Sequence, residues 1–236
     1  MNLVGDIEAQ GYYAAQVWDM MDKPYIGVRP LHVANESCQM GQWRGTDVVD
    51  NWTWPGYEGK NTQIQVFSNQ SMVELFINGN SQGKKSVEEY MAKFDVVYNP
   101  GTVMAVSFNA GDSETGRAIL KTAQNDNVLS ILPEKEEYKA KEEELVFVSI
   151  VLTDQEGTVK QFEEKKIQVK VKGQGSLYRL GSGNPITTES YLDSAFTTYH
   201  GKMLAVIRLN KEPGDIVIEA RREDGTYAGN CRCKVI

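Results

Sequence analysis

The chain has 236 residues, 41% hydrophobic and 24% charged, enough for one large or two modest apolar cores. A net charge of −7 supplies no basic field for a phosphate backbone, which argues against nucleic acid as a partner. No run of about eighteen apolar residues is present to span a bilayer, and residues 1–10 have neither a basic nor an apolar leader region, so no membrane partner is expected.

In chain order, residues 10–21 (QGYYAAQVWDMM) place Tyr13, Val17 and Met20 or Met21 at helical spacing, and Pro24 then stops the helix. One amphipathic helix cannot bury its own stripe, so residues 1–30 read as the end of a domain whose remainder lies elsewhere. From residue 47 the pattern changes to short strands. Residues 61–67 (NTQIQVF) and 72–77 (MVELFI) alternate apolar and polar, and Asn78-Gly79 supplies the positive φ angles of a tight hairpin. Residues 93–98, 102–108 and 118–123 follow, with Asn99-Pro100-Gly101 as a turn. The charged run 133–144 (PEKEEYKAKEEE) reads as a solvated edge segment opening a second domain. That domain's strands are expected at 145–153 (LVFVSIVLT), 167–171, 203–209, 215–220 and 231–236. Short, regularly spaced strands without long helices point to an all-β fold of two antiparallel sandwiches.

Cys38, Cys231 and Cys233 are too few and too scattered for a disulfide framework or a four-ligand zinc site. Strand spacing sets Cys231 and Cys233 on one face, where a bridge would be strained, so reduced thiols are expected. His32 and His200 have no acidic or thiol neighbour at ligand spacing, and neither a metal nor a cofactor is expected. Asp112, Asp126, Asp154 and Asp224 sit in turns, where such residues cap backbone amides more often than they bind calcium. Gly173-Gln174-Gly175 and Gly181-Ser182-Gly183-Asn184-Pro185 lack the strand-to-helix setting of a phosphate loop and read as turns.

Three stretches together resemble glycoside hydrolase family 2, in its bacterial β-galactosidase-like branch. Asn51-Trp52-Thr53-Trp54-Pro55-Gly56-Tyr57-Glu58-Gly59-Lys60, leading through Val66-Phe67-Ser68-Asn69 to Val73-Glu74-Leu75-Phe76-Ile77-Asn78-Gly79, is similar to the module that follows that family's catalytic barrel. Residues 144–148, Gly173-Gln174-Gly175, Leu180-Gly181-Ser182-Gly183-Asn184-Pro185 and Tyr199-His200-Gly201-Lys202 resemble the immunoglobulin-like module ending many of these enzymes. Gly5-Asp6, Tyr12-Tyr13, Trp18 and Pro24-Tyr25 resemble the last helix and exit of the (β/α)8 barrel.

The resemblance implies a barrel remnant in residues 1–30, a connector in 31–46, and immunoglobulin-like sandwiches in 47–123 and 124–236. It also implies a non-catalytic accessory region that braces the catalytic barrel of its own parent chain, from a periplasmic or extracellular enzyme. The two carboxylates of a retaining glycosidase, about 5–5.5 Å apart, would lie in the barrel, so no catalytic residue is assigned here. Asn35-Glu36-Ser37 echoes the family's acid/base motif with serine for proline, and reads as a solvated loop. Trp52, Trp54 and Tyr57, with Trp43 nearby, have two readings: stacking platforms for an oligosaccharide, or rings buried in the first core. The competing class is a self-standing carbohydrate-binding or adhesion module.

Overall fold

The computed structural model describes residues 1–33, 45–140 and 144–236. The described chain is mostly strand, and it divides into two compact units: Met1 with residues 7–122, and residues 2–6 with 123–236.

The first unit begins with helix α1 (Ala9–Val17) and strand β1 (Tyr25–Val28). It continues with β2 (Asn61–Phe67), β3 (Met72–Ile77), β4 (Asn80–Ser86), β5 (Met91–Val97), β6 (Thr102–Phe108) and β7 (Glu114–Lys121). Two antiparallel sheets result, ordered β1-β2-β5 and β4-β3-β6-β7. The alternation seen in the sequence decides what is inside. Ile64 and Val66 of β2 and Phe94 and Val96 of β5 share one core with Val73, Leu75 and Ile77 of β3 and Val103 and Ala105 of β6. Each large side chain buried in this way is worth about 1.5–3 kcal/mol. Asn78 and Gly79 have φ of 51° and 80°, so both central residues of the β3–β4 hairpin are left-handed, as a type I′ turn requires.

Helix α1 is shorter than the 10–21 expected and turns a different face inward. Val17, Trp18 and Met20 are exposed, while Ala9 and Gln16 are buried and Tyr12 and Tyr13 pack against Tyr25 and Phe67. Gln16 explains the orientation: its amide donates to the Lys23 carbonyl at 2.7 Å and accepts from the Asn69 N–H at 2.9 Å, which stitches the helix to the β2–β3 turn. Tyr25–Val28, read from sequence as upstream of the sandwich, pairs with β2 along its whole length as the edge strand of the first sheet.

The second unit contains β8 (Val128–Pro133), β9 (Glu137–Tyr138), β10 (Leu145–Thr153), β11 (Lys166–Gly173), β12 (Gly175–Gly181), β13 (Ala195–Thr197), β14 (Lys202–Leu209), β15 (Gly214–Arg222) and β16 (Ala228–Val235). One sheet runs β12-β14-β10-β8 and the other β13-β11-β15-β16-β9. Val146, Val148, Ile150 and Leu152 of β10 meet Ile167, Ile216 and Ile218 of the other sheet in a single core. Within the charged run expected to be solvated, Tyr138 is the one large apolar side chain. It is 1% exposed and carries β9 into a parallel pairing with β16. Gly173 ends β11 at φ 91°, and a Cβ there would meet the Asp215 carbonyl oxygen at 2.0 Å, so only glycine fits.

Candidate functional site: a polar groove in the first unit

Of the two readings open for Trp52 and Trp54, sugar-stacking platforms or rings buried in the first core, the positions of the rings within this unit correspond to the second. Trp52 and Trp54 are 1% and 2% exposed. Their ring N–H groups donate to the carbonyls of Asn99 and Asn51, each at 3.1 Å. The Trp52 ring meets Tyr98 edge-on at 4.9 Å, and the Tyr98 hydroxyl accepts the Trp54 N–H at 3.0 Å. A sugar needs an open ring face, and burial leaves neither indole one, so within this unit both are core residues. Tyr57 packs against the same core from the following turn and stays half-buried. Trp43, Cys38 and Asn35-Glu36-Ser37 lie outside the described residues.

The concave surface of this unit lies elsewhere. A groove of about 690 Å³ runs past the start of β2, the β3–β4 hairpin and the end of β5. On β2 the face opposite Ile64 and Val66 carries Asn61, Gln63 and Gln65, three amides at two-residue spacing. Gln63 lies directly across from Asp95 of β5 and donates to its carboxylate at 3.0 Å. Behind it, the Thr46 hydroxyl donates to Gln65 at 2.9 Å and Gln65 donates to Gln63 at 3.3 Å, a relay running from buried residues to the groove. Across the groove, the amide of Asn80 donates to the Asn78 carbonyl at 3.4 Å and that of Gln82 to the Asn80 carbonyl at 3.0 Å. Among the described residues neither side-chain oxygen accepts a hydrogen bond, which leaves both available as acceptors. Among the described residues the side chains of Asn61 and Asn99 make no hydrogen bond. Arg29 contributes a cation already paired with Asp47 at 3.0 Å. Val97, 43% exposed, adds an apolar patch.

In the second unit the turn aspartates cap amides. Asp154, 2% exposed, accepts from the N–H groups of Gln124 at 2.9 Å and Thr158 at 2.8 Å, while Asp126 accepts from Gln155 at 2.6 Å and Asp224 from Thr226 at 3.0 Å. Burial drives the Asp154 pKa up, but the hydrogen bonds from Gln124, Thr158 and Glu156 outweigh it and hold the carboxyl below its ordinary range. Glu114, Glu219 and Asp224 are also lowered, each chiefly by side-chain hydrogen bonds, from Arg117, Lys172 and Thr226. Asp112, the fourth turn aspartate, pairs with Lys84 in the first unit. Among the described residues no cluster of His, Cys, Asp or Glu is placed to hold a metal, and no helix is long and apolar enough to cross a membrane.

Residues 129–228 match the glycoside hydrolase family 2 C-terminal domain 5, and residues 59–114 match a domain family of unknown function, DUF4982. Over 189 residues the chain is 28% identical to the β-galactosidase BoGH2A of Bacteroides ovatus, across 77% of this chain and 22% of that protein. The crystal structure of a glycosyl hydrolase family 2 member from Bacteroides cellulosilyticus superposes with a TM-score of 0.89 at 29% identity, covering 100% of this chain and 31% of the other. A β-glycosidase from Bacteroides vulgatus shares the fold, with a TM-score of 0.82 at 21% identity over 100% of this chain and 27% of its own. The chain therefore spans less than a third of the length of each of these relatives.

Proposed function

The chain carries a C-terminal module of glycoside hydrolase family 2, and from that premise we propose that it is the non-catalytic accessory region of a larger β-galactosidase-like enzyme, which it serves by bracing the catalytic barrel. In this reading each unit is an immunoglobulin-like sandwich, and residues up to 30 include the end of the barrel. The pairing of two sheets, antiparallel but for β9 beside β16, over one core in each unit supports the first point.

The observation that carries the bracing role is the surface of α1 and its flanks. Ile7, Val17, Trp18 and Met20 are 54%, 37%, 75% and 77% exposed. A single exposed apolar side chain is ordinary, but four around one nine-residue helix, a tryptophan among them, make a surface suited to another protein body. The test is association of this chain with the separately produced barrel, followed by sedimentation. The expected result is a one-to-one complex, weakened more than about tenfold, or about 1.4 kcal/mol, by Trp18→Asp. The isolated variant chain should melt within about 0.5 kcal/mol of the wild type, as exposed substitutions do. Absence of association would contradict the bracing role.

A further inference from the structure

We propose that the groove between the β3–β4 hairpin and the outer face of β2 and β5 is a binding site for a neutral oligosaccharide. Three properties of the groove argue for this ligand class. Its volume, about 690 Å³, falls in the range of sites that enclose a small organic ligand, yet its polar side chains are chiefly amides instead of the apolar walls such sites usually have. Amides and a carboxylate suit hydroxyl groups, each of which donates one hydrogen bond and accepts others. Asn61 and Asn99 have side chains with no internal partner among the described residues, and Asn80 and Gln82 have their NH2 groups held by backbone carbonyls with the oxygens left over.

Charge then narrows the class to neutral sugars. Among the described residues Arg29 is the one cation lining the groove, and it is paired with Asp47, while the Asp95 carboxylate accepts from the Gln63 amide. An anionic sugar would meet Asp95 and a chain of net charge −7, with no uncompensated cation among the described residues of the groove to offset them. The site is also organised in advance. The relay from Thr46 through Gln65 fixes Gln63, and the Asn78 side chain, bonded to the Pro100 carbonyl at 3.0 Å and the Thr102 N–H at 2.7 Å, fixes the hairpin that presents Asn80 and Gln82. Val97 supplies an apolar patch for the C–H face of a sugar ring. This site is separate from the buried pair Trp52 and Trp54, and the choice of sugar as the hydroxyl-rich ligand rests on the accessory reading above.

The test is calorimetric titration of the chain with β-1,4-galactotetraose, cellotetraose and, as a charge control, tetragalacturonic acid, with the side-chain amide resonances of Asn61, Gln63, Asn80 and Gln82 followed by NMR. Saturable binding of at least one neutral tetrasaccharide is expected, with those resonances shifted and the acidic sugar weaker. Asn61→Ala and Asn80→Ala, both on exposed positions, should each weaken binding by about tenfold with unchanged melting. Gln63→Ala should weaken it further. Failure of both neutral sugars to saturate overturns the site, as does equal or tighter binding of the acidic sugar, or binding that these substitutions leave unmoved. Such a failure leaves the accessory role to be decided by association with the barrel, which does not involve the groove.

Discussion

Asp154 shows how a single residue ties local sequence to stability. Its buried carboxylate holds the N–H of Gln124, at the entry to the second unit, and that of Thr158, in the loop after β10. Asp154→Ala orphans both donors and is expected to cost about 1–3 kcal/mol, read as a shift in the urea midpoint. The pH dependence has a definite sign. Because the folded pKa lies below the ordinary value of about 3.9, the stabilisation is complete above that value and is lost as pH falls through the lowered folded pKa. The gap between wild type and Asp154→Asn should therefore be constant from neutral pH to about 5 and shrink in stronger acid. Trp54→Ala is expected to remove about 3–5 kcal/mol from the first unit, as large core deletions do, without changing oligosaccharide affinity in any variant that stays folded. Cys231 and Cys233 are both free, and burial pushes the Cys231 thiol up to about 12. Iodoacetamide should alkylate it slowly in the folded chain and rapidly in urea, and fast labelling of the native protein would contradict this.

At the scale of elements, what the sequence showed and what it hid divide along a physical line. Strands with an apolar face against solvent, β2, β3, β6 and β10, were legible because alternation is the imprint of one-sided burial. The β3–β4 turn was legible through Asn78-Gly79, and Gly79→Val, at φ 80°, should destabilise the hairpin by about 1 kcal/mol or more, measurable by thermal melting. β4 itself (NSQGKKS) has no apolar pattern, since nearly all of it is exposed, and it is a strand only because β3 pairs with it. β12 lay between two glycine-rich stretches read as turns and was not assigned, and a bulge between Leu177 and Arg179 breaks its alternation. α1 misled in another way: its buried face is set by the hydrogen bonds of Gln16, which no hydrophobic periodicity reports. The groove left one trace, the amides Asn61, Gln63 and Gln65 on one face of β2, but its other wall comes from residues about twenty to forty positions later, and only pairing in the sheets brings them together.

For the molecule as a whole, the two units each hold a core of their own, and the chain aligns over its full length within a much longer family 2 enzyme. The account built on this has two parts: an apolar surface around α1 that meets the barrel, and a polar groove that holds neutral sugar. Neither part of this proposal requires chemistry from this chain. The measurement closest to the central claim is hydrolysis of a chromogenic aryl β-galactoside by the purified chain, alone and then mixed with its separately produced barrel. The account predicts no turnover above the buffer rate from the chain alone, and greater heat resistance of the barrel's activity in the mixture. Turnover by the chain alone, or a barrel whose activity and heat resistance are the same with and without it, would contradict the account.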